Sequence, residues 1–485
     1  MDTSFLLSKI CMPLIEVFSS TRCWSIYQEM QTHKRKSSTF NAERQHAQLA
    51  KLLRDASNNV EQWQAIFSDI HIKSCDINQK NAVAILLKLP ITDKKFYSTG
   101  FPDKVTSNTA NDDWQYLSSA GTTERMTVVT DFNKRDYLRA AEYFNLFIAL
   151  GRPVGQNGLD IPPNACNVVC GLSDSEPEPI FDFLWLKIKN RSLFKPEAIS
   201  NLRGRIERQI IMKRFTVLPI EVNAWPAMAL QLDQYLDLLI NNKIKVLRGL
   251  PQFLFWMAKR AQERALQFKH LQAVLPYGGL ASEVMVSYIS EVFSVPFFDV
   301  YGTGEVGAIG CSFVGNEAVD IYQNLIFIEI LDDHDQPVKA GEVGRIVITD
   351  LQNFAMPIIR YEIGDIGQAL FCDLESNQPS KVKVLGRAQE LYLNAQGKHV
   401  YTRDFQNLFY SDKQVINFKV EHLFNDNFKV SIVTNGYVDK LALAERLANL
   451  LEIKTLPKIK EVAFILPETS GKYLSFKQKK ESLYV

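Results

Sequence analysis

The chain is long and almost neutral, which limits the classes of protein it can belong to. It has 485 residues, 46% of them hydrophobic and 22% charged, and 55 basic against 54 acidic side chains give a formal net charge of +1. A single core rarely grows beyond roughly 250–300 residues, so two or three lobes are expected. The charge balance gives no electrostatic reason to expect nucleic acid or an anionic membrane as a partner.

Cysteine usage and hydropathy predict a cytoplasmic protein. The seven cysteines are few, scattered and odd in number, which favours thiols in a reducing compartment over a disulfide framework. The first residues lack a basic leader followed by an unbroken apolar segment, so no signal peptide is expected. No run of about 18 apolar residues occurs, and we therefore expect no membrane span.

The first two thirds of the chain alternate helical and strand-like patterns. Apolar residues recur at helical spacing, and short β-branched or apolar runs lie between the later helices. Such alternation is typical of a doubly wound parallel sheet. The predicted helices are 41–57, 61–67, 81–89, 137–150, 231–241 and 251–268, and the predicted strands are 167–169, 214–217, 245–247 and 273–275.

The last third has a different character. Strand-like runs at 297–302, 325–333, 344–351 and 381–387 predict a more antiparallel, barrel-like subdomain. Beyond it, strands at 418–424, 429–434 and 461–466 and a helix at 438–451 predict a small α+β module. The expected fold is therefore α/β: a large N-terminal lobe, residues 1–386, with doubly wound sheets and the barrel-like subdomain, and a small mobile C-terminal lobe, residues 387–485.

Two glycine-containing segments have the composition of ligand-binding turns. Residues 117–130, LSSAGTTERMTVVT, place small and hydroxylated side chains before a strand, where backbone N–H groups can wrap a polyphosphate. Residues 275–283, LPYGGLASE, carry Gly278 and Gly279, which lack a Cβ and allow a flat ligand to approach. Taken separately, each segment is explained more simply as a structural turn.

Four further positions present polar groups after strands or in loops. In DVYGTGEVG, residues 299–307, Glu305 can hold magnesium and Tyr301 can stack on a purine. Asp365 lies between two glycines, in a predicted turn that would present its carboxylate to ribose hydroxyls. Arg387 can grip phosphate oxygens, and Lys472 lies in a loop that could deliver a point charge, although a solvated lysine is the simpler interpretation.

The order and spacing of these six segments resemble the adenylate-forming superfamily of acyl-CoA synthetases, peptide-synthetase adenylation domains and luciferases. The resemblance is greatest to its branch of phenylacetate-CoA ligases and capsular-biosynthesis ligases. It rests on SSAGTTERM, YGTGE, the pair GEVGRIVITDL and AMPIIRYEIGD, GR at 386–387 and SGK at 470–472, and it spans nearly the whole chain.

The resemblance implies a role for each matching position. It implies ATP-binding roles for the phosphate loop, the adenine-flanking glycines, the adenine-stacking tyrosine with its neighbours, and the ribose-binding acid: Ala120, Gly121, Thr122, Thr123, Arg125, Gly278, Gly279, Tyr301, Gly302, Thr303, Asp365 and Arg387. It also implies magnesium at Glu305, catalytic roles for Lys472 and Arg387, and a hinge at Gln389. The chain departs from the family pattern at Glu124 and Arg125 in the phosphate loop and at the hinge glutamine.

The implied activity is ATP-dependent activation of a carboxylic acid as acyl-AMP with release of pyrophosphate, followed by acyl transfer. Coenzyme A is the first candidate acceptor, and an amine or a carrier protein are alternatives. A binding protein with a decayed ligase fold is the alternative of another class. Aromatic residues near the expected pocket suit an aryl or hydrophobic acid, although core packing would explain them equally well: Trp225, Phe253, Phe255 and Trp256. A homodimer is a candidate assembly.

Overall fold

The structure is a computed structural model, and it describes most of the chain. The described residues are 7–19, 21–34, 38–109, 114–118, 126–152, 154–162, 180–191, 202, 205–206, 214–218, 220, 224–312, 318–370, 378–394, 396–424, 427–468 and 471–478. Everything below concerns these residues.

The opening of the chain is helical, as its apolar spacing predicts. Helix α3 places Leu49, Leu52 and Leu53 on one face, and these residues pack with Trp63 and Phe67 in a small separate core. The three predicted opening helices are present, but the third ends at Leu86 rather than at residue 89. After a π-helical turn at Leu7–Cys11, the helices are α1 (Met12–Ser19), α2 (Cys23–His33), α3 (Ser38–Asn59), α4 (Glu61–Asp69), α5 (Ala82–Leu86) and α6 (Lys94–Ser98), with a 3-10 turn at Ser74–Asp76.

The middle of the chain forms the predicted parallel sheet. Its four strands run in the order β4-β3-β5-β6, all parallel. The predicted strands at 214–217, 245–247 and 273–275 are confirmed, whereas 167–169 lies outside the described residues. The elements are a hairpin of β1 (Gln115–Ser118) and β2 (Thr127–Thr130), then α7 (Phe132–Leu150), β3 (Gly158–Ile161), α8 (Ile180–Lys189), β4 (Arg214–Thr216), α9 (Trp225–Asn241), β5 (Val246–Gly249), α10 (Pro251–Glu263), β6 (Ala273–Pro276) and α11 (Glu283–Phe293).

Helix α10 ends earlier than its composition predicts. We expected it to reach residue 268, but it ends at Glu263. Ala265 has a φ of 51°, and the Leu266 amide bonds back to the Ala261 carbonyl at 3.0 Å. A residue at positive φ reverses the chain and cannot continue an α-helix, so the last five predicted positions are loop.

A seven-stranded antiparallel sheet follows, as predicted for the last third of the large lobe. Its order is β10-β11-β12-β13-β9-β8-β7, with β10 and β7 at the two ends. Strand β12 lies between β11 and β13, and this central position brings residues 361–370 beside residues 381–387. The strands are β7 (Val300–Thr303), β8 (Gly307–Ser312), β9 (Val319–Ile321), β10 (Ile326–Leu331), β11 (Val343–Asp350), β12 (Tyr361–Leu370) and β13 (Lys381–Arg387).

The C-terminal part has the predicted α+β pattern, with one correction. Its mixed sheet runs β18-β17-β16-β19. The strand expected at 461–466 is wrong: β18 ends at Glu461, and Phe464 and Leu466 are exposed. As an edge strand, β18 carries alternating lysines, and the apolar residues after it leave the sheet. The elements are a 3-10 turn at Ala388–Glu390, β14 (Tyr392–Leu393), β15 (His399–Val400), α12 (Thr402–Tyr410), β16 (Val415–Phe424), β17 (Asn427–Thr434), α13 (Lys440–Leu451), β18 (Lys458–Glu461) and β19 (Phe476–Gln478).

One hydrophobic core joins the parallel sheet to the C-terminal elements. Phe255 on α10 lies 4.6 Å from Tyr410 on α12, between ring centroids, and Trp256 lies 5.1 Å from Tyr473. The indole N–H of Trp256 also donates to the carbonyl of Ile416 at 2.8 Å. The residues after 387 are thus packed against α10 by buried aromatic side chains.

Within the described stretches, no helix combines the length and apolarity needed to cross a bilayer. The cysteines of these stretches are free thiols: Cys11, Cys23, Cys75 and Cys311.

Candidate active site

A cavity of about 520 Å³ opens where the parallel sheet, the antiparallel sheet and the C-terminal loop meet. Ligand sites of globular proteins commonly occupy ~300–1,000 Å³. The structure brings most of the predicted site residues to this one cavity: Gly278, Gly279, Tyr301, Gly302, Thr303, Glu305, Asp365, Arg387 and Lys472. The predicted phosphate loop, Ala120 to Arg125, lies outside the described residues.

Glu305 lies in the turn between β7 and β8, and Lys134 fixes that turn. The ammonium group of Lys134 donates to the carbonyl of Val306 at 2.7 Å and pairs with Asp350 at 2.6 Å, in a buried position. Lys94, at the start of α6, places its ammonium 3.3 Å from a Glu305 carboxylate oxygen. Glu305 is therefore held at the cavity wall beside a lysine that the sequence patterns did not single out.

The same turn depends on glycine at one position. A Cβ on Gly302 would lie 2.4 Å from the carbonyl oxygen of Gly307. No side chain can be accommodated at that distance, so the close approach of β7 and β8 requires glycine here. The Val306 amide donates to the Thr303 hydroxyl at 3.3 Å, which orients that hydroxyl within the turn.

Asp365 lies in a strand, which corrects the expectation of a glycine-flanked turn. It occupies the middle of β12, directly opposite Arg387 of β13. The Arg387 Nε is 2.9 Å from one Asp365 oxygen, and the Tyr301 hydroxyl donates to the other at 2.8 Å. The Asp365 carboxylate raises the pKa of the Arg387 guanidinium. Burial raises the pKa of the Tyr301 phenol well above its usual value, and the neighbouring Asp365 carboxylate acts in the same direction. An arginine, a tyrosine and an acid thus form one connected group.

Lys472 reaches the cavity from a stabilised turn rather than from a free tail. The Glu468 amide donates to the Lys472 carbonyl at 2.8 Å, and the Glu468 carboxylate pairs with Lys419 at 3.2 Å. Burial and the neighbouring Arg387 lower the pKa of the Lys472 ammonium, whereas the Asp365, Glu305 and Glu390 carboxylates act in the opposite direction. The lysine is therefore surrounded by the other charged groups of the site.

The glycine pair after β6 forms another part of the wall. Gly278 has a φ of 74°, a conformation in which a side chain is strained, and this sharp turn directs the chain along the cavity. A Cβ on Gly279 would lie 3.1 Å from the ring of Pro251, at the start of α10. The pair thus lets the turn lie close to the N-terminus of that helix.

Glu390 is a cavity residue that sequence reasoning missed. It is buried, and the Thr402 hydroxyl donates to its carboxylate at 3.1 Å. Burial raises the pKa of Glu390 to about 7, although Thr402 and Arg387 lower it in part. The run AQE after Arg387 looks like a polar surface turn, so only the three-dimensional fold reveals this acid. Gln389, the predicted hinge, lies in the same 3-10 turn.

The aromatic residues expected around the acid pocket lie elsewhere. Phe253, Phe255 and Trp256 have 0% of their surface exposed and belong to the core shared with the C-terminal elements. Trp225 packs against that core at the start of α9. Their alternative interpretation as core residues is therefore correct, and they give no information on the acid.

Metal-ligating groups are sparse in the described part of the chain. No group of three or more histidine, cysteine or acidic side chains there could hold a metal ion. Magnesium in nucleotide sites is usually bound by one or two carboxylates together with phosphate oxygens. The Glu305 carboxylate at the cavity wall, beside the Lys94 ammonium, is the kind of ligand that such a site uses.

Two curated proteins are similar in sequence to part of this chain. No family model matches the chain. Phenylacetate-coenzyme A ligase of Escherichia coli is 24% identical over 166 residues, 33% of this chain and 36% of that protein, and the ligase of the same name from Thermus thermophilus is 24% identical over 185 residues, 36% and 40% respectively. The chain thus matches less than half the length of these curated relatives.

The solved structures match over a much larger part of the chain. A crystal structure of 2-hydroxyisobutyryl-CoA ligase, in the postadenylation state in complex with 2-HIB-AMP, superposes with a TM-score of 0.66 at 14% identity, covering 90% of this chain and 89% of that one. The same ligase with CoA in its thioesterification state gives a TM-score of 0.54.

These matches show that this chain has the fold of the adenylate-forming ligases. The expected α/β architecture with a C-terminal α+β part is confirmed. The resemblance to the adenylate-forming superfamily predicted from the motifs is confirmed as well. Among curated proteins, the chain is similar to phenylacetate-CoA ligases.

Proposed function

We propose that this protein activates a carboxylic acid with ATP as an acyl-AMP and then passes the acyl group to a thiol, coenzyme A in the first instance. The observation that carries the proposal is the convergence of Glu305, the Asp365–Arg387 pair and Lys472 on one cavity, from segments that are far apart in sequence. A structural turn at each position would not require them to meet. The CoA ligases among the similar proteins support the choice of acceptor.

In the proposed adenylation step, a carboxylate oxygen of the acid attacks the α-phosphorus in line. The new bond joins carboxylate oxygen to phosphorus, the bond from the α-phosphorus to the bridging oxygen breaks, and pyrophosphate leaves with the electron pair. No covalent nucleophile of the protein is needed, so catalysis consists of positioning and neutralisation of charge.

The charged residues of the cavity have distinct roles in this proposal. Asp365 accepts hydrogen bonds from the ribose, and Arg387, fixed by Asp365, contacts phosphate or ribose oxygens. Lys472 neutralises the charge that develops during the transfer. A unit charge at 4 Å contributes about 4 kcal/mol at an effective dielectric of about 20, which is enough to affect the rate strongly.

Magnesium has one proposed contact in the protein. Glu305 would hold it, and the ion would neutralise the leaving pyrophosphate when bound. Lys94 pairs with that carboxylate in the structure.

The test is ATP–pyrophosphate exchange driven by a panel of carboxylic acids, followed by an acceptor assay with coenzyme A, an amine and a carrier protein. Acid-dependent exchange supports the proposal, and thioester formation with coenzyme A supports the acceptor. ATP binding without exchange for any acid would instead favour a binding protein with a decayed ligase fold.

A further inference from the structure

One wall of the cavity carries an ion pair that the proposed adenylation chemistry does not use. Arg248 lies on β5 and Glu142 on α7, and both line the cavity. The Arg248 Nη1 donates to a Glu142 carboxylate oxygen at 2.5 Å, with 17% and 23% of the two side chains exposed. Tyr277 lies beside the pair, with its ring centroid 5.8 Å from the centre of the guanidinium.

Most of the residues assigned to the nucleotide come from other elements than this ion pair. The proposed nucleotide contacts come from the turns after β6 and β7, from β12 and β13 and from the C-terminal loop. Arg248 and Glu142 come from the parallel sheet and from the helix that follows β2. Both sets line one cavity of about 520 Å³, so an acid bound beside the nucleotide would face the ion pair and share that volume with the nucleotide.

Packing an apolar substrate against a partly buried ion pair is unfavourable, because it removes the charged groups from water. Removing charges from water costs several kcal/mol per ion unless further hydrogen bonds compensate. Pockets for aryl or alkyl acids are lined mainly by apolar side chains. Among the aromatic residues expected for such a pocket, Phe253, Phe255 and Trp256 are buried in the core.

Arg248 has unused hydrogen-bonding capacity. A guanidinium carries five N–H donors in a planar fork that matches oxygen acceptors. Among the described residues, the Arg248 guanidinium makes one hydrogen bond, from Nη1 to Glu142, although Arg248 lines the cavity. An oxygen acceptor on a bound molecule would accept a further hydrogen bond from the Arg248 guanidinium.

We propose that Arg248 is a specificity-determining residue that selects a short acid bearing a second oxygen substituent, a hydroxyl or a carboxylate, in addition to the reacting carboxylate. This inference rests on the proposed function and names the substrate class of that site. Glu142 orients the guanidinium and accepts from the substituent when the substituent is a hydroxyl.

The test compares acids that differ by one substituent in ATP–pyrophosphate exchange: propionate, lactate and malonate, and benzoate with its hydroxy and carboxy derivatives. We expect wild type to have a higher kcat/KM for the oxygen-bearing members. In Arg248→Met, the ratio of kcat/KM between substituted and unsubstituted acid should fall about 10–100-fold, because a lost polar contact in a built site removes discrimination of that order. ATP affinity by calorimetry and the thermal unfolding midpoint serve as folding controls.

Glu142→Gln separates the two kinds of substituent. Removing the negative charge should raise kcat/KM for a dicarboxylic acid, because a like charge no longer faces it, and should lower it for a hydroxy acid. An unchanged ratio of kcat/KM between substituted and unsubstituted acids in a folded Arg248→Met variant would overturn the inference. Arg248 would then only connect β5 to α7 through its ion pair with Glu142. A wild-type preference for unsubstituted acids would overturn it while leaving the proposed function intact. If no acid supports ATP–pyrophosphate exchange, both the inference on Arg248 and the proposed function are wrong.

Discussion

Lys472 is the residue whose role is most sharply testable. Substitution by methionine retains the aliphatic stem and removes the charge that faces Arg387, Asp365 and Glu305. We expect acyl-AMP formation to slow by about 10²–10³, as for other contacts made to charge that develops in the transition state. ATP affinity should remain close to that of wild type. Single-turnover formation of acyl-AMP measures the effect, and an unchanged rate in a folded variant would exclude Lys472 from catalysis.

Asp365 should affect both binding and stability, because it is paired within the sheet. Asp365→Ala removes the proposed ribose acceptor and leaves Arg387, about a third exposed, without its carboxylate. We expect ATP binding to weaken by about 1.5–3 kcal/mol and the free energy of unfolding to fall by about 1–3 kcal/mol. Calorimetry and denaturant unfolding measure the two effects. An ATP affinity equal to wild type would remove Asp365 from the nucleotide site.

Glu390 predicts a pH dependence of stability. Burial raises its pKa from an ordinary 4.5 to about 7, so the folded protein holds this proton more tightly than the unfolded chain. Stability should therefore decrease as the pH rises from about 4.5 to about 7, by up to about 3 kcal/mol. Glu390→Gln, which stays neutral, should lose less stability than wild type between pH 5 and pH 8 in urea unfolding. Equal losses in both proteins would show that Glu390 titrates normally.

At the scale of elements, the loop that carries Lys472 is held by its neighbour. Tyr473 packs edge-on against Trp256 of α10, so its ring anchors the loop to the core. Tyr473→Ala should reduce the rate of adenylation at least about 10-fold with little change in ATP affinity, because the lysine loses its fixed position. Tyr473→Phe keeps the ring and should retain most of the activity. If both variants behave alike, the ring does not position Lys472.

Local sequence patterns reveal elements more readily than their partners. Helix α3 and strands β5 and β6 were predictable, because their apolar spacing depends only on neighbouring residues. The motif residues Glu305 and Arg387 could be identified from their family pattern. Their partners could not: Lys94 lies about 200 residues from Glu305, and nothing in its surroundings indicates an ion pair. Likewise, the apolar run after Glu461 has the composition of a strand but lies beyond the end of the β17 pairing.

At the scale of the whole molecule, we propose that the C-terminal lobe, residues 387–485, moves between adenylation and acyl transfer. Gln389 is the proposed hinge, and it lies in the 3-10 turn directly after β13. Proline fixes φ near about −65°, so Gln389→Pro should preserve acid-dependent pyrophosphate exchange and lose thioester formation. Gln389→Ala is the matched control and should keep both steps. Normal transfer by a folded proline variant would exclude rotation at this residue.

The buried contact between α10 and the C-terminal elements also affects how the chain could be recombined. A fragment ending at residue 386 would expose the faces of Phe255 and Trp256 that Tyr410 and Tyr473 now cover. Grafting the C-terminal segment of a distant ligase onto this chain would therefore bring together two unmatched apolar surfaces. A working chimera therefore has to exchange the contacting face of α10 together with the segment after residue 387, two distant stretches of sequence at once.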